Sequence, residues 1–151
     1  MNNILVINGP NLNMLGVREP SVYGSQTLKE LCEYIKEYTD KKGLNCDFFQ
    51  SNSEGAIIDK IQSVYNLYDG CILNAGAYTH YSYAIRDAIS SVSKPFIEVH
   101  MSDINNREDF RKISVISDVC AASVIGHGKD SYIIAVDLIS KCLWKKKLLV
   151  M

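Results

Sequence analysis

Short apolar runs alternate along this chain with segments whose apolar residues recur at helical spacing. Ile4-Leu5-Val6-Ile7 is a continuous apolar run of strand length, the pattern of a strand buried on both faces, and it stops at Asn8-Gly9-Pro10. A glycine- and proline-punctuated loop continues to about Ser25. Thr27, with Glu30 three positions on, forms a capping box, and Leu28, Leu31, Ile35 and Tyr38 then mark one helical face closed by Gly43. Leu44 to Gln50 reads as a second strand. Ser53 is placed to cap a helix whose stripe is Ile57, Ile58, Ile61, Val64, Tyr65 and Tyr68. Cys71-Ile72-Leu73 is a third strand, ending at Asn74-Ala75-Gly76. Ile85, Ala88, Ile89 and Val92 stripe a third helix that stops before Lys94-Pro95, and Phe96 to Val99 is a fourth strand. An irregular polar stretch containing Asp103-Ile104-Asn105-Asn106 leads to a short apolar segment around Val115. A fifth strand at Ala122 to Ile125 and a helix from Tyr132 to about Lys146 close the pattern.

With no internal repeat, low-complexity tract or linker, this alternation predicts one α/β domain over residues 1–151. The expected architecture is a five-stranded, doubly wound parallel sheet with helices on both faces. In such sheets ligands bind beyond the carboxyl ends of the strands. Composition narrows the function classes. A formal net charge of -1 offers no basic footprint for a nucleic-acid partner. Lys145-Lys146-Lys147 falls at the expected end of the last helix, where cations complement the helix dipole. The cysteines Cys32, Cys46, Cys71, Cys120 and Cys142 are odd in number, lack CxxC spacing and lie in or beside apolar segments. They read as buried thiols in a reducing compartment. The run Ile4 to Ile7 is too short for a signal peptide or membrane span and no longer one follows, so a cytoplasmic protein without a membrane partner is expected.

Three strand ends collect the reactive side chains. Asn8, Pro10, Asn11, Asn13, Arg18, Glu19 and Tyr23 follow the first strand, and Asn74 and His80 follow the third. Glu98 and His100 end the fourth, with Met101, Ser102 and Arg111 beyond. Glu98 and His100, two apart on a strand, point to the same face with backbones about 7 Å apart, so the carboxylate can orient the imidazole. A solvated strand end without a role remains open, as does metal binding with His80 as a third ligand, although no sulfur ligand or HxxxH spacing supports it. Tyr23 would serve as a base only if its pKa near ~10 fell to about 7, which needs ~4 kcal/mol of phenolate stabilisation. A guanidinium about 4 Å away supplies that at an effective dielectric near 20, and Arg18 is five residues upstream. Taken alone, Tyr23 packs a loop more often than it acts as a base, and Arg18 is more often simply solvated. No GxxxxGK[ST] loop, GxGxxG turn or GxSxG elbow is present, and Gly126-His127-Gly128 reads as a tight turn into the last helix.

The segment Asn8-Gly9-Pro10-Asn11-Leu12-Asn13-Met14-Leu15-Gly16-Val17-Arg18-Glu19-Pro20-Ser21-Val22-Tyr23-Gly24 resembles the signature of the type II 3-dehydroquinate dehydratases. Further matches follow in the family's order at Asn74-Ala75-Gly76-Ala77-Tyr78-Thr79-His80, Ala84-Ile85-Arg86-Asp87-Ala88 and Pro95-Phe96-Ile97-Glu98-Val99-His100. The resemblance spans nearly the whole chain. It implies a flavodoxin-like fold, a homododecamer built as a tetramer of trimers, and conversion of 3-dehydroquinate to 3-dehydroshikimate by anti elimination through an enolate. It further implies that Tyr23 is the base, that Arg18 lowers its pKa, and that a water near Asn11 stabilises the enolate. His100, oriented by Glu98, would protonate the leaving hydroxyl. Asn74, Ser102 and the backbone of Met101 and Ser102 would hold the substrate carboxylate. His80 and Arg111 would bind ring hydroxyls, and Asp87 would reach a neighbouring subunit's site. Such chemistry needs acid, base and enolate stabilisation but no metal or organic cofactor. The loop around 9–25 would act as a lid.

Two positions depart from the family pattern: Met101 stands where a branched aliphatic is usual, and Ser131 replaces a common glycine near the last helix. A flavin- or nucleotide-binding module and an inactive assembly subunit of the same fold remain as rival readings. The missing phosphate loop opposes the first, and the joint presence of Arg18, Tyr23, Glu98 and His100 opposes the second.

Overall fold

The computed structural model describes residues 1–17 and 19–150, with Tyr23 described in its backbone alone. Among these, five strands form one parallel sheet: β1 (Asn3–Asn8), β2 (Asn45–Gln50), β3 (Gly70–Asn74), β4 (Phe96–His100) and β5 (Ala122–Ile125). Their spatial order is β2-β1-β3-β4-β5, the flavodoxin-like doubly wound order that the family resemblance implies. Five α-helices accompany them: α1 (Pro20–Tyr23), α2 (Leu28–Lys41), α3 (Glu54–Leu67), α4 (Tyr83–Val92) and α5 (Asp130–Val150).

The apolar runs become the inner strands because both of their faces are covered. Every residue of β3 and β4 is buried, as is β1 from Ile4 to Asn8. Strand alternation sends Ile4, Val6, Ile72, Ile97 and Val99 to a core shared with Leu31 and Ile35 of α2 and with Tyr132, Ala135, Val136 and Ile139 of α5. Leu5, Ile7, Cys71, Leu73 and Phe96 face the other way, against Ile57, Ile61 and Val64 of α3 and Ile85, Ile89 and Val92 of α4. Glu98 and His100 share the parity of Phe96 and so lie on the α3/α4 face. Asn8 and Asn74 share that of Val6 and Ile72 and lie on the α5 face. α2 and α5 thus cover one side of the sheet, and α3 and α4 the other.

Helix starts follow their capping residues. Thr27 Oγ1 accepts from the Glu30 amide at 3.2 Å, and Ser53 Oγ accepts from the Ala56 amide at 3.2 Å. The capping box closes differently from expectation, since the Thr27 hydroxyl donates to Glu30 Oε1 at 3.0 Å. Tyr65, assigned to the α3 stripe, is 62% exposed; the stripe steps from Val64 to Tyr68, which is buried just past the helix end. The segment around Val115 is no strand. It lies between the 3-10 turns Asp109–Lys112 and Ser117–Val119. The loop after β1 contains the 3-10 turn Leu12–Met14 and the single turn α1, neither of which periodicity revealed. Ser131 is fully buried, and its hydroxyl accepts from the His127 amide at 3.0 Å, closing the turn in which Gly126 and Gly128 take positive φ. That turn is bound in place through Gly126 N–His100 O at 3.0 Å and Gly128 N–Met101 O at 2.9 Å.

The exits of β1 and β3 run together closely. The Gly9 amide donates to Asn74 O at 2.7 Å, and a Cβ at Gly9 would lie 2.7 Å from the Ala75 carbonyl oxygen. Because that obstacle is backbone, a side chain here forces the two exits apart. Gly9→Ala is expected to destabilise the fold by about 1–3 kcal/mol, the usual cost of overpacking. Urea unfolding reads this as a lowered midpoint with an unchanged slope; a midpoint at the wild-type value refutes the tight approach.

Candidate active site

From β1 the chain leaves toward β2 on one side, while β3 lies on the other, so a crevice opens between the ends of β1 and β3. A pocket occupies this place. Pro10, Asn11 and Leu12 line it after β1; Asn74, Gly76, Ala77 and His80 after β3; His100, Met101, Ser102 and Ile104 after β4; and Arg107 and Arg111 beyond. Of the residues singled out from the sequence, the pocket gathers Asn11, Asn74, His80, His100, Met101, Ser102 and Arg111. Glu98 lies behind His100. Asp87 is exposed on α4 and does not line this pocket. Arg18 and the Tyr23 side chain lie outside the described residues.

Glu98 and His100 are both buried, with His100 Nε2 2.7 Å from Glu98 Oε2. Glu98 also accepts from the Ser123 hydroxyl at Oε1, at 2.6 Å, and from the Ser114 hydroxyl at Oε2, at 2.7 Å. Burial by itself raises the Glu98 carboxyl. The opposing hydrogen bond and charge of His100, with the two serine hydroxyls, outweigh it and hold the carboxyl below its ordinary range. An ionised acceptor places the imidazole proton on Nε2 and leaves Nδ1 as the other ring nitrogen available for chemistry.

His80 stacks on His100 with ring centroids 6.5 Å apart. Its Nδ1 meets the Ile113 carbonyl at 2.6 Å, which makes Nδ1 the donor and Nε2 the free acceptor in the neutral ring. Desolvation lowers the His80 pKa, and the charges of His100 and Arg111 push it the same way. Among the described residues no three His, Cys, Asp or Glu side chains converge as a metal site.

A second buried network holds the β1 and β3 exits from behind. Asn8 and Asn74, opposite one another in the parallel register, both meet the buried Tyr132. Asn74 Nδ2 donates to Tyr132 Oη at 3.0 Å, and the hydroxyl donates on to Asn8 Oδ1 at 2.6 Å. Asn74 Oδ1 also accepts from the Gly76 amide at 3.1 Å, so the amide orientation is fixed while Nδ2 keeps its second hydrogen. Asn11 is placed by backbone conformation. It adopts φ of 69°, in the left-handed region that asparagine tolerates, and its amide donates to Asn52 Oδ1 at 2.9 Å.

Sequence reasoning missed Arg107, Ser114, Ser123 and Tyr132. Arg107 contacts Ser102 Oγ at 3.4 Å and Glu19 Oε2 at 3.4 Å, joining the loop after β1 to the segment after β4. The signal for it was its place four residues before Arg111 in the same polar stretch. For the serines there was none, because their roles depend on which strands neighbour β4. With Arg107 and Arg111 in its wall, the pocket suits an anionic ligand, and the paired histidines supply proton-transfer groups beside it.

The description "Dehydroquinase class II" belongs to the family model that matches residues 2–140. A 3-dehydroquinate dehydratase from Clostridium beijerinckii is 54% identical over 134 residues, covering 88% of this chain and 92% of the relative. One from Fusobacterium nucleatum is 55% identical over 136 residues, with the same coverages. Among solved structures, a type II dehydroquinase from Butyrivibrio crossotus superposes with a TM-score of 0.91 at 53% identity, over 92% of this chain and 97% of that one. A type II dehydroquinase from Propionibacterium acnes gives 0.90 at 36% identity, over 93% and 97%.

Because the Glu98 pKa is depressed in the fold, its ionised form contributes stability that is fully present above the unfolded value of about 4.3 and is lost as pH falls through the folded value. Glu98→Gln, which removes the charge and keeps the shape, is expected to cost on the order of 1–3 kcal/mol near neutrality. In urea unfolding the gap between wild type and variant then narrows as the pH is taken below about 4.3. A gap that stays constant through that range rules out the ionised carboxylate as the cause.

Proposed function

Because the chain belongs to the class II dehydroquinase family, matching it over residues 2–140 and being 54% and 55% identical to the named dehydratases over the aligned stretches, we propose that it is a hydro-lyase that converts 3-dehydroquinate to 3-dehydroshikimate. The reaction is the dehydration step of the shikimate pathway, which leads to aromatic amino acids. The observation that carries this reading is the buried Glu98–His100 pair beside a pocket walled by Arg107 and Arg111. An acid held in one orientation next to two guanidinium groups suits removal of a hydroxyl from a carboxylate-bearing ring.

The Tyr23 phenolate takes the proton alpha to the ketone, its anion stabilised by the Arg18 guanidinium. Electron density moves onto the ketone oxygen, and a water held near Asn11 stabilises the enolate. As the enolate collapses, the carbon–oxygen bond breaks and His100 gives its proton to the departing hydroxyl, releasing water. The acid is the imidazolium: one proton stays on Nε2 against Glu98, and the other, on Nδ1, is the one that leaves. Asn74, Ser102 and the amides of Met101 and Ser102 receive the substrate carboxylate, while His80 and Arg111 meet ring hydroxyls. Tyr132, also close to the pocket, is no rival base, because burial pushes its phenol up and its hydroxyl is committed between two asparagines. Each step is carried by this chain's own acid, base and dipoles, so we assign no cofactor.

The loop around 9–25 serves as the lid. Its support is the Glu19–Arg107 contact, which bridges the loop to the far wall of the pocket, and the left-handed backbone at Asn11 and Glu19. We further assign the single domain over 1–151 to a homododecamer, a tetramer of trimers, in which Asp87 on α4 reaches a neighbour's pocket. Exposed Tyr81, just before α4, and Tyr83, its first residue, support an interface there, and light scattering on the purified protein reads the size. Placement in the cytoplasm rests on the five free cysteines. No helix among the described residues is long and apolar enough to cross a membrane.

Ultraviolet absorbance of the conjugated enone, followed with EDTA present, tests the reaction; no rise in absorbance from 3-dehydroquinate defeats the proposal. Tyr23→Phe is expected to lower kcat on the order of 10²–10⁴-fold, the range for a general acid or base, while melting temperature and inhibitor binding stay close to wild type. In Arg18→Gln the phenolate loses its countercharge, so the activity limb set by Tyr23 moves to higher pH. A superimposable pH profile removes Arg18 from that role.

A further inference from the structure

The Glu98 carboxylate sits among donors contributed by three separate parts of the chain, and two of those donors have no place in the mechanism above. Ser114 is held in the segment between the 3-10 turns, where its Oγ accepts from the Ile116 amide at 3.3 Å and from the Ser117 amide at 3.2 Å. A serine hydroxyl has two acceptor lone pairs and one hydrogen. With both lone pairs taken by backbone amides, its single hydrogen points to the remaining partner, Glu98 Oε2 at 2.7 Å. Ser114 is therefore an obligatory donor. Ser123, opposite Glu98 in the β4–β5 register, gives its hydrogen to Oε1 at 2.6 Å.

The segment carrying Ser114 is itself anchored. The Val115 amide donates to Thr79 O at 2.9 Å, and the Val115 carbonyl accepts from Arg86 Nη1 at 2.9 Å. Arg86 is in turn paired with Asp118, with Nη2 to Oδ2 at 2.9 Å. The neighbouring Ile113 carbonyl takes the His80 Nδ1 proton. One short strap thus touches both histidines, His80 directly and His100 through Ser114 and Glu98.

We propose that Ser114 and Ser123 are positioning residues that hold Glu98 as an oriented carboxylate, so that His100 keeps one proton on Nε2 and turns Nδ1, the nitrogen that gives the transferred proton, to the pocket. Two fixed O–H donors make a protonated Glu98 costly, since one of its oxygens would then carry a hydrogen facing another. The Ser114 hydroxyl shares Oε2 with the imidazole and so sets the oxygen's position as well as its charge. The Ser123 hydroxyl, on an exposed edge-strand residue, is the more readily replaced by water. The titratable groups facing Glu98 are His100 on its own strand, His80 from the segment after β3, and Cys120 from the segment before β5. Burial, with the Glu98 charge added, pushes the Cys120 thiol up to about 12, so over the acidic range it stays neutral and the two histidines alone compete.

The catalytic consequence rests on the dehydratase reading, whereas the carboxylate titration does not. Infrared difference spectra against Glu98→Gln isolate the Glu98 carboxyl band across an acid titration of the purified protein. Ser114→Ala and Ser123→Ala should each raise the midpoint, Ser114→Ala by more, with Ser114→Thr and Ser123→Thr returning it toward wild type. In the enone assay Ser114→Ala should lower kcat on the order of tenfold, a fraction of what a general acid contributes, with KM little changed and the acidic limb displaced upward. If Ser114→Ala does not fold, Ser123→Ala on the exposed edge still reads the same midpoint. A midpoint that stays at the wild-type value in a folded alanine variant overturns the positioning role, even where kcat falls. Shifted midpoints in a protein that forms no enone uphold the positioning role and overturn the activity instead.

Discussion

A buried carboxylate needs its charge matched, and in this protein the match at Glu98 ties the sheet to its site. Two serines and one imidazole donate to its two oxygens, and the donors come from β4 itself, from β5 beside it and from the strap before β5. An unmatched charge at that depth would cost several kcal/mol, so the three segments must be in place together for the carboxylate to be tolerated there. The same contacts orient His100.

The α5 side of the sheet solves a different problem at the same place. Strand exits expose backbone and side-chain amides that would be unsatisfied if buried. The Tyr132 hydroxyl takes one from β3 and serves another on β1. The Asn74–Tyr132–Asn8 chain fixes the floor between the two exits without ionisation, while the Glu98 carboxylate, on the opposite face of the sheet, carries charge. Polar order behind the pocket is neutral on one side and ionic on the other, and strand parity decides which.

The loop from β1 to α2 is assembled differently from the rest. Its turns are brief, and Asn11 and Glu19 adopt left-handed backbone that few residues tolerate. Leu12 and Leu15 bury themselves against the α2/α5 core and anchor the first half, while Glu19 reaches Arg107 across the pocket. Apolar burial and backbone hydrogen bonds hold the first half of this segment, whereas Glu19 in its second half meets the wall of the pocket through a charged contact.

Short apolar runs and helical periodicity, with capping residues, were enough to place the five strands and four longer helices within a few residues. Those signals arise from burial on one or two faces and from local hydrogen bonds, both written directly into neighbouring positions. Strand alternation likewise brought Glu98 and His100 to one face. What adjacency in sequence does not encode is which strand lies beside which. The donation of Ser123 to Glu98 follows from β5 pairing with β4, the meeting of Asn8 and Asn74 at Tyr132 from β3 pairing with β1, and the bridge from Arg107 to Glu19 from the return of two distant loops to one edge. Local pattern determined the elements; sheet order and the return of loops to its edge decided which distant side chains complete each other's hydrogen bonds, because those partners are separated by 16 to 124 positions along the chain.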